Sequence, residues 1–245
     1  MRKVIVLLIL FVVASVFGAF ETIAQEAAPA ADAASAGGFQ ALKEKFIEGG
    51  WEWMAPILFC LIIGLAFAIE RILTLNIASI NTEKLLTKVD ERVAAGDVEG
   101  AMELCKATPG PTASILYEGL RNAPKGADAV EKAIVGYGSV EMGLLEKGLI
   151  WISLFIALAP MLGFLGTIVG MIIAFDRIAE VGDLSPSIVA GGIKVALLTT
   201  VFGLIVAIIL QILYNYIVSK IDGIVNRMED ASIGLIDILA RNKKI

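Results

Sequence analysis

The sequence contains no histidine, and it has two cysteines and few charged residues for its 245-residue length. Without histidine it lacks the commonest metal ligand and the side chain that titrates near neutral pH, so we expect no metal centre and no cofactor. Cys60 lies in an apolar run and Cys105 in a polar one, which predicts no disulfide. The net charge is -5, without a long basic run. This composition argues against a nucleic-acid partner.

Apolar residues dominate what is present. They form 58% of the chain, and the mean hydropathy is +0.83, which is too apolar for a soluble domain. At about 1.5 Å per residue, three runs are long enough to cross a hydrocarbon layer roughly 30 Å thick. The sequence therefore predicts an all-α integral membrane protein with three transmembrane helices, at about residues 54–75, 149–175 and 188–217.

The N-terminus has the pattern of a secretory signal peptide. Charges at Arg2 and Lys3 precede an apolar stretch, and small residues end at Ala24, which predicts a signal peptide of residues 1–24. An uncleaved anchor is the alternative. Residues 25–50 are predicted to be an extracytoplasmic linker followed by an amphipathic segment, which either lies on the membrane surface or forms a solvated helix. The apolar face of that segment contains Phe39, Leu42, Phe46 and Ile47.

The distribution of lysine and arginine predicts the orientation. Most of these residues lie in segments 76–148 and 218–245, which should therefore be cytoplasmic. We expect a multi-pass protein of the bacterial inner membrane, with the N-terminus of the mature chain in the periplasm and the C-terminus in the cytoplasm. Helical periodicity predicts that residues 131–147 run into the second span as one helix. The tail is likewise predicted to continue the third span as a long cytoplasmic helix.

Charged residues also lie near the ends of the spans. The pair Glu70-Arg71 is either functional or an interfacial pair whose side chains extend toward water. The connection between the second and third spans is either an acidic mouth that attracts cations or an ordinary solvated turn with Pro186 opening the next helix. Its charged residues are Asp176, Arg177, Glu180 and Asp183.

Two stripes of small and polar residues mark the second and third spans. The first contains Ala159, Gly163, Gly166, Gly170 and Ala174, with Thr167 beside them and Pro160 one turn earlier; the second contains Gly192, Ala196, Thr200, Gly203, Ala207, Gln211 and Asn215, with Thr199 adjoining. Such stripes either allow close helix packing or line a polar lumen. Our candidate packing residues are Pro160, Gly163, Gly166, Gly170 and Gly203, and our candidate pore-lining residues are Thr167, Thr199, Thr200, Gln211 and Asn215.

These stripes carry a family resemblance. The segments Gly163-Phe-Leu-Gly166-Thr167-Ile-Val-Gly170 and Ala196-Leu-Leu-Thr199-Thr200-Val-Phe-Gly203, with Tyr214-Asn215, resemble the two pore helices of the MotA/TolQ/ExbB proton-channel family. The resemblance covers residues 51–245. It implies a pentameric ring around a single-span partner of the ExbD/TolR type, whose intramembrane aspartate binds the proton between threonine-lined helices. Thr167 and Thr200 match the pore threonines of the family.

One position departs from the family pattern. ExbB and TolQ proteins resemble each other in having a glutamate just before the Ala-Leu-Leu run, whereas this chain has Val195, preceded by Lys194. In addition, neither pore-like helix has Asp, Glu or His in its middle. Threonine hydroxyls form hydrogen bonds but do not titrate in the physiological range, so the resemblance leaves the proton-binding carboxylate to the partner.

We therefore predict a proton-channel subunit that couples the proton motive force to work on an envelope-spanning partner. The ExbB branch, which energises outer-membrane uptake through a TonB-like protein, is preferred. The alternatives are a TolQ-like envelope-integrity motor, a gliding or flagellar stator, and a non-conducting membrane scaffold. An enzyme is not expected, because the spans contain no nucleophile-base pair or metal-ligand set. Threonine-lined paths with a carboxylate could serve Na⁺ as well as H⁺.

Overall fold

The computed structural model describes residues 45–182 and 186–242, and this part of the chain is helical. The predicted signal peptide, the linker up to residue 44 and Asp183 lie outside the described residues. The helices are α1 (Trp51–Ala78), α2 (Thr82–Ala94), α3 (Val98–Ala107), α4 (Pro111–Asn122), α5 (Ala127–Glu146), α6 (Leu149–Val181) and α7 (Pro186–Arg241), with a 3-10 turn at Ala123–Lys125. Three helical segments, which include α1, α6 and α7, are long and apolar enough to cross a membrane.

The predicted continuous helix from residue 131 into the second span is wrong. Helix α5 ends at Glu146 and α6 begins at Leu149. Lys147 is extended, with ψ at 127°, and Gly148 has φ at +90°. A positive φ of this size is accessible to glycine at little cost, and it interrupts the helical hydrogen bonds at this point. By contrast, α7 is continuous over 56 residues, as the periodicity of the tail predicts.

One compact unit comprises the described residues up to Phe67 together with those of Ile150–Tyr214. Its core is apolar and is made by Ile57, Cys60, Ala159, Val206 and Leu210. Packing is close, because a Cβ added to Gly64 would lie 2.7 Å from Cδ1 of Leu210. Large apolar side chains cover the outside, among them Phe59, Phe164, Ile172 and Leu197. An apolar core inside an apolar surface is expected of helices that pack in lipid.

The second unit comprises Ala68–Leu149 and the chain from Asn215 onward. Here polar side chains end the helices, since Asn81 caps α2 and Asp97 caps α3. The guanidinium of Arg92, 2.7 Å from Asp97, holds the pKa of that carboxyl below its usual range. Apolar residues of several helices form the core of this unit. They include Val89, Val93, Leu116, Leu120, Ile224, Leu235 and Leu239.

Two further features belong to this second unit, an ion pair and a buried cysteine. Nη2 of Arg241 lies 2.5 Å from both carboxylate oxygens of Asp90, and this ion pair joins the end of α7 to α2. Cys105 is buried, and burial raises the pKa of its thiol to about 11, so this thiol is unreactive at neutral pH. Both cysteines are free, in agreement with the prediction of no disulfide.

Candidate functional site

Helices α6 and α7 pack against each other along their glycine stripes. A Cβ added to Gly163 would lie 2.8 Å from the carbonyl oxygen of Thr199, and one added to Gly203 would lie 2.6 Å from the carbonyl oxygen of Ala159. Real Cβ atoms do not approach that closely, so at both positions only hydrogen fits. The two helix backbones therefore touch, and the small residues of the stripes face protein.

Of the remaining predicted packing residues, Gly166 and Gly170 lie along the same contact. A Cβ added to Gly166 would lie 2.8 Å from Oγ1 of Thr199, and one added to Gly170 would lie 3.3 Å from the backbone nitrogen of Ala196. Pro160 lies inside α6, which continues through it. The helix contact thus extends over about two turns of α6 on either side of the threonines described next.

A cluster of hydroxyl and carbonyl groups lies at the centre of this contact. Oγ1 of Thr167 and Oγ1 of Thr200 form a hydrogen bond with each other. Thr167 also lies 3.0 Å from the carbonyl oxygen of Ala196 on the other helix, and Thr200 lies 3.3 Å from that of Gly163. Each hydroxyl has one proton, so one threonine donates to the other and the second donates to a carbonyl. Both side chains are half-buried.

Thr199 is placed differently from its neighbour. It is fully buried, and its hydroxyl donates to the carbonyl oxygen of Ala196 at 2.8 Å. Its methyl and hydroxyl groups fill the space beside Gly166. In this chain, therefore, Thr199 packs between the two helices, whereas Thr167 and Thr200 keep part of their surface open.

The other two predicted pore-lining residues lie farther along α7. Gln211 is exposed in the single chain and is about 16 Å from Thr200 along the helix axis at 1.5 Å per residue. Asn215 is also exposed. The structure therefore brings Thr167, Thr199 and Thr200 together at one level of the hairpin, and it leaves the two amides at another.

An unpredicted ion pair lies at the start of the third span. Nζ of Lys194 is 3.0 Å from Oε2 of Glu48, and Nζ of Lys45 is 2.9 Å from the same oxygen. Phe46, two residues before Glu48, packs edge-on against Phe202, with the ring centroids 6.1 Å apart. The described part of the amphipathic segment is thus docked on α7, which neither of the two sequence interpretations anticipated.

This ion pair should stabilise the docked segment in a pH-dependent way. Hydrogen bonds from Lys45, and then from Lys194, hold the pKa of Glu48 below its usual range. A lowered pKa means that the stabilisation is present above the ordinary carboxyl pKa and is lost as the pH falls through the lowered value. Because the pair is exposed, we expect Lys194→Met to cost only about 0.2–1 kcal/mol at pH 7.

Thermal unfolding in detergent measures this effect. The melting temperature of Lys194→Met should lie slightly below that of the wild type at pH 7, and the two should converge at a pH below the lowered pKa of Glu48, where that carboxyl is protonated. Lys132→Met, which removes an exposed lysine of α5, is the control for loss of charge. An equal difference at both pH values would contradict the pairing.

The remaining charged candidates differ from the threonine cluster, because they are either paired locally or exposed. Glu70 and Arg71 bind each other at 2.7 Å, and Thr74 donates to the same carboxylate at 3.1 Å, so this pair is satisfied locally. Asp176 and Glu180 are exposed. No group of three or more potential metal ligands occurs within residues 45–182 and 186–242.

Comparison with known proteins gives the family of the region that contains the hairpin. The model of the MotA/TolQ/ExbB proton channel family matches residues 107–230, about half of the chain, and this region contains the whole hairpin. A biopolymer transport protein ExbB homolog of Methanothermobacter thermautotrophicus is 34% identical over 169 residues, which are 69% of this chain and 60% of the relative. The biopolymer transport protein ExbB of Aquifex aeolicus is 40% identical over 77 residues, 31% of this chain and 52% of that protein.

A longer match is found in Synechocystis, where a biopolymer transport protein named ExbB-like 1 is 29% identical over 182 residues. That alignment covers 73% of this chain and 71% of the relative. The chain thus spans a little over half the length of the first two relatives and more of the third.

Proposed function

Because the chain belongs to the MotA/TolQ/ExbB proton channel family, we propose that it is the ring-forming subunit of an inner-membrane proton channel. In this proposal it forms a homopentamer around a single-span partner of the ExbD/TolR type. Proton movement through the assembly then drives a TonB-like protein that spans the envelope. The observation that carries the proposal is the half-buried pair of Thr167 and Thr200, which lies inside the matched region.

The chemistry of the hairpin supports a two-component channel. Residues 149–175 and 195–217 contain no Asp, Glu or His, so neither span can bind a proton at the membrane centre. The hydroxyls of Thr167 and Thr200 can each donate or accept a hydrogen bond. They can therefore stabilise a partner's carboxylate when it is charged and its carboxylic acid when it is protonated.

Loss of the same hydroxyls should leave no polar group of the hairpin backbone unpaired. The carbonyl groups of Gly163 and Ala196, which they contact, lie inside continuous helices and can accept from the backbone N–H four residues later. Removing a hydroxyl therefore leaves no carbonyl without a partner. A channel role thus predicts a loss of transport with little loss of folding, which a packing role does not.

We expect the Thr167→Val, Thr200→Val double variant to assemble normally and to conduct poorly. Valine keeps the shape of threonine but leaves the partner's carboxylate short of hydrogen bonds, at a cost of about 1–3 kcal/mol when buried. By transition-state arithmetic this corresponds to a proton flux that is slower by roughly fivefold to 150-fold. The measurement is flux into liposomes that contain the chain and its single-span partner.

The chain offers a matched control. Thr199→Val removes a neighbouring hydroxyl that is fully buried between the helices, so it should lower stability slightly and leave flux near the wild-type rate. Full flux from the double variant would refute the proposed role of the pair. Equal loss from Thr199→Val would show that the cluster serves packing alone.

Within the family, the ExbB branch is favoured by the relatives, which are named ExbB or ExbB-like. A TolQ-like motor would share the hairpin and differ in the process that it energises. Growth on iron chelates that need outer-membrane uptake, compared with sensitivity to detergent, distinguishes the two. The orientation with a periplasmic N-terminus and a cytoplasmic C-terminus is part of the same proposal.

A further inference from the structure

A cavity of about 310 Å³ lies among the start of α1, the end of α6 and the start of α7, which form the outer end of the spans in the proposed orientation. This volume is at the lower end of the range for ligand pockets, about 300–1,000 Å³. At roughly 30 Å³ per water molecule, it has room for about ten waters. The cavity is therefore large enough for one small polar group.

The helices close beneath the cavity. A Cβ added to Gly192 would overlap that of Ala174, and one added to Gly170 would lie 3.3 Å from the backbone nitrogen of Ala196. The cavity therefore has a closed floor, and it does not lead between α6 and α7 to the threonine pair. Its mouth is open, since the charged side chains on its walls are exposed. This shape is that of a pocket rather than a passage.

Two opposite charges on the walls have no partner in the described chain. Glu52 of α1 and Arg177 of α6 both line the cavity. Within residues 45–182 and 186–242, neither side chain forms an ion pair, either with the other or with a third residue. By contrast, Glu48 nearby is paired with two lysines. Two separated charges that face one cavity are complementary to a ligand that carries both signs.

The aromatic side chains of the cavity indicate where this ligand comes from. Trp51 and Trp53 line the cavity, and indole rings are enriched where hydrocarbon meets water. Trp51 and Ile173 also expose apolar surface beside the charges. At this depth of a bilayer, the groups that carry a phosphate and an ammonium together are phospholipid headgroups. The exposed apolar surface suits the glycerol and the first part of an acyl chain.

We propose that this cavity binds the phosphoethanolamine headgroup of a membrane phospholipid. The guanidinium of Arg177 donates to the phosphate, whose oxygens match its planar set of N–H groups. The carboxylate of Glu52 accepts hydrogen bonds from the ammonium. This site goes beyond the proposed channel function and does not depend on proton conduction.

The position of Glu52 makes the site selective among headgroups. A glycerol headgroup has no cation, so it would leave the carboxylate unpaired beside a phosphate. A choline headgroup has a cation without N–H groups, so it cannot donate a hydrogen bond to the carboxylate. Ethanolamine alone among these three satisfies both charges on the walls.

Tryptophan fluorescence measures binding directly, because two of the three tryptophans of the chain line the cavity. The protein is used as extracted in detergent and is titrated with dioctanoyl lipids that carry ethanolamine, glycerol or choline headgroups. We expect the ethanolamine lipid to bind about tenfold more tightly than the other two, since it gains a charge-assisted hydrogen bond. Equal affinity for the three lipids, or no change in fluorescence with any of them, would overturn the proposal.

Substitutions at the two charges separate their roles. Arg177→Gln should weaken binding of all three lipids by about tenfold, because all share the phosphate. Glu52→Gln should bind the ethanolamine and glycerol lipids with similar affinity, because the group that distinguishes them is gone. Glu180→Gln removes an exposed carboxylate of α6 that does not line the cavity, and it should bind like the wild type.

Filling the cavity tests its place in the molecule. A Cβ added to Gly191 would meet nothing within 4 Å, and leucine favours a helix more than glycine does. Gly191→Leu should therefore fold, as size-exclusion chromatography checks, and should bind the ethanolamine lipid poorly. Wild-type affinity in both Gly191→Leu and Arg177→Gln would place the lipid elsewhere on the apolar surface and refute the site.

A soluble compound with the same headgroup distinguishes the two sources of phosphoethanolamine. Glycerophosphoethanolamine lacks acyl chains, so it should bind far more weakly than the dioctanoyl lipid. If it bound as tightly as the lipid, the cavity would be a site for a soluble ester, and the assignment to a membrane lipid would be wrong. None of these results depends on proton flux, so this site and the channel proposal can fail separately.

Discussion

Gly203→Leu is expected to abolish assembly of the protein in the membrane. Even the first side-chain atom at this position would lie 2.6 Å from the carbonyl oxygen of Ala159 and 3.3 Å from Cα of Gly163. Both are backbone atoms of α6, so no rotamer change can make room. The two helices would have to separate, which breaks the contact along the whole stripe and the hydrogen bonds between Thr167 and Thr200.

The expected cost exceeds that of an ordinary overpacked core, which is about 1–3 kcal/mol, because a whole leucine must fit where only hydrogen does. In lipid, close packing and interhelical hydrogen bonds are the main forces that hold helices together. We therefore expect little or no assembled complex from Gly203→Leu. Gly166→Leu should behave similarly, since its Cβ would lie 2.8 Å from the hydroxyl oxygen of Thr199.

Size-exclusion chromatography of detergent extracts measures this effect, with Ile172→Leu as the matched control. Ile172 lies on the same helix and is exposed, so the exchange of one apolar residue for another should leave the yield unchanged. A normal yield of complex from both glycine variants would show that the stripes do not form the helix contact.

The second large effect concerns the chain by itself, which should conduct no protons. Its hairpin presents hydroxyls and amides but no Asp, Glu or His in residues 149–175 or 195–217. An apolar passage without charge tends to lose its water, and helices α6 and α7 touch on both sides of the threonine level. Both features predict that the chain passes no proton unless a partner supplies a carboxylate.

Much of the fold could be predicted from the sequence. The apolar runs predicted three spans because bilayer thickness sets the length of a spanning helix, and the part of the chain that the structure describes contains three helices of that kind. The threonine pair could be located because residues three or four apart share a helix face. Thr167 and Thr200 lie on the facing stripes and meet in the structure.

Other features depend on geometry that spacing does not encode. The break at Gly148 was missed because apolar periodicity continues across it, and glycine is compatible both with a helix and with a positive φ. The pairing of Glu48 with Lys194 joins residues far apart in the chain, so only the fold reveals it. Thr199 and Thr200 are neighbours in sequence, yet a rotation of about 100° between successive residues buries one and leaves the other half open.

The surroundings of Val195 are a further feature that the sequence could not predict. The sequence showed that the family's glutamate is missing there, but it could not show what surrounds the position. In the structure, Val195 lines a cavity together with Glu52 and Arg177. Lys194 forms an ion pair with Glu48. Carboxylates of the chain therefore do lie near this end of α7, contributed by other segments.

The most direct test of the two-component account is proton flux into liposomes under an imposed pH gradient. Liposomes that contain this chain alone should acidify no faster than empty vesicles. Addition of the single-span partner should open a path, and an Asp→Asn change at the centre of the partner's span should close it again. Rapid flux through the chain alone, unaffected by the partner, would contradict the account.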